Sequence, residues 1–203
     1  MEQPEALRRC LSPRIRNGEA VFEDFSLSED YVKTMNRIYI VACGSSYHVG
    51  MVGKYHLERL TRIPVEVALG SEFRYMDPIV DEHTLVIVIS QSGETLDTMA
   101  ALREARRLGG HILSIVNVVG SSIARESDQV LYTWAGPEIA VATTKAYTTQ
   151  LALLSLLALW LARQLGTVPE EDCRAMLAAF QELPGKMEEV LSRRDGIQYF
   201  ASQ

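Results

Sequence analysis

Five short, mainly apolar segments dominate the hydrophobic pattern, and each is predicted to be a β-strand. The predicted strands cover residues 37–42, 64–69, 84–89, 111–117 and 129–134. Because the apolar run 85–89 is contiguous rather than alternating, that strand is expected to be buried on both faces of a parallel sheet. Apolar residues recur at helical spacing between the strands, so strand and helix are predicted to alternate along the chain.

A βαβ series of this kind predicts an α/β fold with a five-stranded, parallel, doubly wound sheet. We expect a flavodoxin-like α-β-α sandwich with strand order 2-1-3-4-5 and extra helices at both termini. This order makes the first and third strands neighbours. The predicted division is an N-terminal helical arm (1–36), an α/β domain (37–166) and C-terminal helices (167–203).

The terminal segments are predicted to be helical. Helices are expected over residues 3–11 and 28–35, joined by an arm with little periodicity. Two C-terminal helices are predicted over residues 170–183 and 184–193, with the break at Pro184. Residues 198–203 fit no complete element.

The helix predicted over residues 147–165 is apolar on nearly all sides. A helix of this kind is buried in the core or in a subunit contact. Its longest apolar run, 151–162, is shorter than the roughly 20 residues that cross a bilayer.

Loops rich in hydroxyl groups follow the first and third predicted strands. They are Cys43-Gly44-Ser45-Ser46 and Ser90-Gln91-Ser92-Gly93-Glu94-Thr95, and each precedes a helix. Helix starts attract anions through free N–H groups and the helix dipole. Because no G-x-x-x-x-G-K motif is present, the expected ligand is a phosphate that stays attached to its substrate. The alternative interpretation of the second loop is an ordinary helix cap, with Ser92 at the N-cap position.

Composition and charge narrow the range of partners. The net charge of −6 and the pI near 5.3 argue against nucleic acid as a partner. Three widely spaced cysteines without a C-x-x-C motif favour a reducing compartment. We therefore expect a soluble cytoplasmic protein with no nucleic-acid and no membrane partner.

The sequence offers no full set of catalytic groups. Glu94 is interpreted as a helix-start acid, Glu138 as a loop anchor and Cys43 as a small buried residue. Lys145 opposes the dipole of the helix that it begins, which predicts a specific partner for its charge. His48 is assigned a surface or packing role.

The remaining histidines do not have the spacing of metal ligands. They are His56, His83 and His111. The residues taken by themselves therefore indicate a phosphate-ester site, with no catalytic residue, metal or cofactor expected in this chain.

Several motifs together resemble the sugar isomerase (SIS) domain family, and within it the isomerase half of the glucosamine-6-phosphate synthases. In chain order the motifs are EQP, CGSSY, SEFRY, SQSGET, NVVGSSIARES and VATTKAYTTQ. They span nearly the whole chain in the order of that family. The resemblance implies a role in converting fructose 6-phosphate and glutamine into glucosamine 6-phosphate and glutamate.

The resemblance also implies a set of residues that contact the sugar phosphate, with Val141 acting through its backbone. Ser45 stands where relatives often have threonine, and Thr143 where many have serine. The set is Ser45, Ser46, Ser90, Gln91, Ser92, Thr95, Val141 and Thr143.

Such synthases also carry a glutamine-hydrolysing domain, a second SIS subdomain and a tail. These parts supply the isomerisation glutamate, a histidine and a ring-opening lysine that Lys145 does not match. We therefore expect this chain to be a fragment, the first SIS subdomain, which is inactive by itself. Residues 37–166 would bind the sugar phosphate and 167–203 would lead toward the second subdomain. We expect a homodimer, or pairing with that subdomain, through the apolar helix.

Two alternatives remain open from the sequence. A fructosamine-phosphate deglycase of the same superfamily also lacks the glutaminase domain, although the SEFRY and VATTKAYTTQ motifs favour the synthase. A non-enzymatic sugar-phosphate sensor module ranks last, because no helix-turn-helix or basic face is visible.

Overall fold

The predicted strands form one parallel sheet in the computed structural model, which describes residues 1–23, 25–139 and 142–202. The strand order is β4-β3-β5-β6-β7, so the predicted order 2-1-3-4-5 and the predicted fold class are confirmed. A separate antiparallel pair, β1-β2, precedes the sheet. The strands are β1 (Ile15–Arg16), β2 (Glu19–Ala20), β3 (Arg37–Ala42), β4 (Val65–Leu69), β5 (Thr84–Ser90), β6 (His111–Val116) and β7 (Gln129–Tyr132).

Helices cover both faces of the sheet and continue beyond it at both ends of the chain. They are α1 (Gln3–Leu11), α2 (Glu29–Thr34), α3 (Gly44–Thr61), α4 (Gly70–Phe73), α5 (Leu96–Arg107), α6 (Ser122–Glu126), α7 (Lys145–Leu165), α8 (Glu170–Ser192) and α9 (Arg194–Ala201).

The central strand β5 is buried along its whole length, as its apolar run predicts. Its side chains alternate between two cores. Leu85, Ile87 and Ile89 pack with residues of α1, α3 and α7 on one face. Val86 and Val88 pack with residues of α5 and α6 on the other face. Both faces of the strand therefore exclude water, which explains why its sequence does not alternate.

Helix α7 is the centre of the larger core. With 21 residues it is long and apolar enough to cross a membrane, but 78% of its most apolar window is buried inside the protein. It packs against α1, α2, α3 and α8. The apolar face that was predicted to pair with another subdomain or a second copy is thus largely covered by the chain itself.

Two predictions for the C-terminal region are wrong. Residues 170–183 and 184–193 do not form two helices, because α8 runs through Pro184 without ending. An apolar stripe with helical spacing continues across the proline and packs on the larger core, which outweighs the local cost of proline. Part of the segment 198–203, thought to fit no element, belongs to α9.

The arm between α1 and α2 contains a hairpin that the prediction missed. Asn17 and Gly18, which join β1 to β2, both have positive φ, at 54° and 74°. Asn-Gly is the preferred pair for a two-residue turn of this kind. The signal was therefore present in the sequence, but the strands of two residues each are too short to show a period.

Candidate functional site

Three loops meet at the carboxyl edge of the sheet. One joins β3 to α3, the second joins β5 to α5, and the third lies between β7 and α7. Because β3 and β5 are paired in parallel, with Ala42 opposite Ile89, the loops that follow them lie side by side. This is the switch point of a doubly wound sheet, where ligands bind in such folds.

The loops enclose a cavity of about 310 Å³. This volume is at the lower end of the range of roughly 300–1,000 Å³ that small-molecule sites occupy. Of the eight residues predicted to contact a ligand, all but Val141 line this cavity. Val141 lies outside the described residues. The described lining residues are Cys43, Gly44, Ser45, Ser46, Ile89, Ser90, Gln91, Ser92, Thr95, Glu138 and Thr143.

The cavity wall contains one charged side chain among its described residues, the carboxylate of Glu138. No lysine or arginine belongs to that described wall. An anion held there must therefore be bound by hydroxyl and backbone N–H donors at the starts of α3 and α5.

The loop after β5 is closed by hydrogen bonds from its own hydroxyl groups. The Ser90 hydroxyl accepts from the Gly93 N–H at 3.0 Å and lies 3.1 Å from the Thr95 hydroxyl. The Ser92 hydroxyl accepts from the Glu94 N–H at 3.2 Å. The residue that caps α5 is Thr95, and its side chain makes no capping bond to the helix. The alternative interpretation, a cap at Ser92, is therefore wrong.

Glu94 braces this loop against a neighbouring helix, α6. Its carboxylate accepts a hydrogen bond of 2.8 Å from the Ser122 N–H. That bond, with a second one from the Ser122 side chain, holds the pKa of Glu94 below its usual value. Glu94 is thus a helix-start acid, but the helix is α6 rather than α5.

Gly93 allows the close contact between the loop and α6. Its φ is +68°, and a Cβ at this position would lie 2.1 Å from the Ser121 hydroxyl oxygen. The Gly93 carbonyl also accepts from the Ile123 N–H at 3.0 Å. Any larger residue would push the loop away from α6.

The loop after β3 positions two serines in the first turn of α3. Ser45 is exposed, whereas Ser46 is buried and donates a hydrogen bond of 3.0 Å to the Oε1 atom of Gln150 in α7. Cys43 is half-buried and accepts a hydrogen bond from Thr98, consistent with a packing role. Gln150 is a part of the site that the sequence interpretation missed. Its signal was a polar residue directly before the longest apolar run of α7.

The third loop is anchored by Glu138, as predicted. Its carboxylate accepts from the Thr143 hydroxyl and from three backbone N–H groups at the start of α7. Burial raises the pKa of Glu138, but these hydrogen bonds lower it by more than burial raises it. The pKa of Glu138 therefore lies below its usual value. The start of α7 is thus occupied by a carboxylate of the protein.

The predicted partner of Lys145 is found at the N-terminus. The Lys145 ammonium is buried and pairs with the carboxylate of Glu2. Next to it, the Gln3 side-chain amide donates to the Thr148 hydroxyl at 3.0 Å. Lys145 is therefore committed to a structural ion pair, and it does not line the cavity.

Comparison with known proteins identifies the class. The family model of the SIS domain matches residues 32–160, which is more than half of the chain. The chain therefore belongs to the SIS domain family.

The most informative relatives are aminotransferases. The chain is 51% identical over 202 residues to a glutamine--fructose-6-phosphate aminotransferase [isomerizing] of Clostridium acetobutylicum, covering 99% of this chain and 33% of the relative. It is 44% identical over 202 residues to the Thermus thermophilus enzyme of the same name, covering 100% of this chain and 33% of the relative. The chain thus spans about a third of the length of these curated relatives.

A solved structure supports the same assignment. The C-terminal domain of glucosamine-fructose-6-phosphate aminotransferase from Francisella tularensis superposes with a TM-score of 0.92 at 34% identity. The match covers 99% of this chain and 56% of that one.

Proposed function

We propose that this chain is the first SIS subdomain of an isomerising glutamine–fructose-6-phosphate aminotransferase and that its cavity binds fructose 6-phosphate or glucosamine 6-phosphate. The observation that carries the proposal is the wall of the cavity. The wall contains hydroxyl groups at the starts of α3 and α5, together with the carboxylate of Glu138, which caps the start of α7. The relatives favour this function over a deglycase or a sensor module.

The hydrogen bonds support one orientation of the ligand. Thr143 donates its only hydroxyl hydrogen to Glu138, so its oxygen can only accept from a ligand. A sugar hydroxyl can supply that hydrogen, whereas a phosphate dianion cannot. The sugar is therefore expected beside Thr143 and Glu138.

The phosphate is expected at the opposite side, beside Ser90, Ser92 and Thr95. The Ser90 hydroxyl accepts a hydrogen bond from the Gly93 N–H and can donate one to the Thr95 oxygen. The Thr95 hydrogen is then free for a phosphate oxygen, as is that of Ser92, whose oxygen accepts from Glu94. Hydrogen bonds from these hydroxyl groups to a phosphate are charge-assisted, so they can hold the anion without a nearby cation.

We also propose residues 37–166 as the binding domain, 1–36 as an arm that braces it, and 167–203 as a lead toward a second SIS subdomain. The domain match over residues 32–160 supports the first of these. The ion pair between Glu2 and Lys145 supports the second.

A second SIS subdomain, or a second copy of this chain, is the proposed protein partner. Large apolar side chains stand exposed at the carboxyl edge of the sheet, in two loops and at the first residue of α5, and further chain would cover them. They are Leu96, Val119 and Ile139, with exposures of 79%, 60% and 98%. The Francisella domain, of which this chain covers 56%, is long enough to contain such a part. A monomer in light scattering at high concentration would contradict pairing between copies.

Catalysis is proposed to require parts supplied by the remainder of the enzyme, and the compartment is proposed to be the cytoplasm. The free state of Cys10, Cys43 and Cys173 is compatible with a reducing compartment. We expect the 203-residue chain to bind the sugar phosphate but to form no glucosamine 6-phosphate. Product formation by the purified chain would refute the assignment of catalysis elsewhere.

Calorimetric titration tests the binding site. Fructose 6-phosphate is titrated into the chain, with free fructose and inorganic phosphate as control ligands. The double variant Ser90→Ala, Thr95→Ala is expected to weaken binding of the sugar phosphate at least tenfold. Ser192→Ala, on an exposed position of α8, is the control variant and should bind as the unsubstituted chain does. A folded chain that binds no fructose 6-phosphate would overturn the proposed function.

A further inference from the structure

Gln150 is a buried polar residue with one half of its side chain unsatisfied. It is 1% exposed and lies in α7, directly before a run of leucines and alanines. Its Oε1 atom accepts from the Ser46 hydroxyl at 3.0 Å. Its Nε2 group is buried and has no hydrogen-bond partner among the residues that the structure describes. Burying an amide donor without a partner costs free energy, so its presence needs an explanation.

The hydrogen bond from Ser46 to Gln150 is incompatible with the proposed role of Ser46, which is to donate a hydrogen bond to the phosphate. A serine hydroxyl has a single hydrogen to donate. In this structure that hydrogen points to Gln150. A phosphate dianion carries no hydrogen, so a side chain can bind it only as a donor. Ser46 therefore cannot bind phosphate while it donates to Gln150.

The amide of Gln150 can resolve this conflict without moving α7. The amide carries an acceptor, Oε1, and a donor, Nε2, on the same carbon atom. Rotation about the last side-chain bond of glutamine has two preferred orientations, roughly 180° apart. Turning the amide by about 180° exchanges Oε1 with Nε2. Nε2 would then donate to the Ser46 oxygen, and the Ser46 hydrogen would be free to point into the cavity.

The backbones of α3 and α7 are held at a fixed separation while this happens. Gly53 of α3 lies so close to α7 that a Cβ there would be 2.0 Å from the Cδ2 atom of Leu154. This contact lies two turns along α3 from Ser46 and one turn along α7 from Gln150. The distance between Ser46 and Gln150 is therefore set by helix packing, and only the amide needs to turn.

We propose that Gln150 is a positioning residue that accepts from Ser46 in the free protein and donates to Ser46 when the sugar phosphate binds. Turning the amide frees the Ser46 hydroxyl to donate to the phosphate. This inference rests on the proposed function, because it requires the phosphate to lie within reach of Ser46. A residue that only packed would have no preference for Ser46 over the other hydroxyl groups.

A double-mutant cycle tests this preference in the 203-residue chain. Binding of fructose 6-phosphate is measured for Gln150→Leu, for Ser46→Ala and for both together. Gln150→Leu is expected to weaken binding roughly three- to tenfold in the unsubstituted chain. It should have no further effect in the Ser46→Ala background. In the Ser92→Ala background, which is the matched control, its effect should remain in full.

A second measurement does not depend on a variant that folds. The side-chain amide signals of Gln150 are followed by NMR in the unsubstituted, ¹⁵N-labelled chain. Saturating fructose 6-phosphate should shift both amide protons and slow their exchange with water, whereas free fructose should do neither.

The outcomes separate this inference from the function on which it rests. If the unsubstituted chain binds no sugar phosphate, both fail. If it binds, but the Gln150→Leu effect is the same in the Ser46→Ala and Ser92→Ala backgrounds, the inference fails and the function stands. Binding with unchanged Gln150 amide signals has the same meaning.

Discussion

The ammonium of Lys145, buried at the start of α7, pairs with the carboxylate of Glu2, 143 positions earlier in the chain. The same helix start holds Glu138 and, through it, the Thr143 side of the cavity. The N-terminal arm, the third loop and α7 therefore form one unit. A substitution of Glu2 is therefore expected to disturb the position of Glu138 and Thr143 at the ligand site.

Removal of Glu2 should destabilise the protein more than removal of Lys145. Glu2→Gln leaves a buried positive charge without its carboxylate, at the positive end of a helix dipole. Lys145→Met leaves only an exposed carboxylate, which water solvates. We expect the melting temperature to fall further for Glu2→Gln, and the double variant to recover the loss. A larger fall for Lys145→Met, measured by circular dichroism, would contradict this explanation.

The contribution of Glu138 to stability should disappear in acid. Its pKa in the folded protein lies below the ordinary value of 4.5, because the hydrogen bonds to the start of α7 favour the charged form over the opposing effect of burial. Such a carboxylate stabilises the fold above its unfolded pKa, and the stabilisation is lost as the pH falls through the folded pKa. Glu138→Gln should therefore lower the urea midpoint at pH 7 and have less effect below about pH 4. A loss of stability that is equally large at pH 7 and below about pH 4 would contradict this explanation.

Gly93→Ala should damage both the fold and the binding site. The residue has φ +68°, and the new Cβ would overlap the Ser121 side chain. Strain in the left-handed region costs roughly 1–2 kcal/mol, and overpacking adds about 1–3 kcal/mol. Gly120→Ala is the matched control, since Gly120 has φ +70° with no atom within 4 Å of the new Cβ. Equal losses for the two variants in urea unfolding would show that the contact with α6 is unimportant.

The contact between α3 and α7 should tolerate no added methyl group. Gly53→Ala places a Cβ 2.0 Å from Leu154, so we expect a loss of about 1–3 kcal/mol from repacking. Gly185→Ala, in the interior of α8 with no atom within 4 Å of the new Cβ, should instead stabilise by up to about 1 kcal/mol through helix propensity. Thermal unfolding of the two variants should shift in opposite directions. A neutral Gly53→Ala would mean that Leu154 moves aside at little cost.

The sequence by itself determined the five strands, their order and the edge of the sheet that carries the site. Each of these depends on patterns within short contiguous segments. The apolar run 85–89 is too short for an ordinary helix and rich in β-branched residues, which favours a buried strand, and right-handed crossovers leave few orders for the strands. The Asn17-Gly18 turn was equally local, although the prediction overlooked it.

Only the tertiary structure decided which side chains satisfy one another. Ser46 meets Gln150 across 104 positions, and Lys145 meets Glu2 across 143. The passage of α8 through Pro184 likewise depended on the core against which its apolar stripe packs. The physical reason is the same in each case. A hydrogen bond or ion pair forms only if the separation of the two helices is right to within a few tenths of an ångström. That separation is set by packing of the whole core rather than by neighbours in the chain.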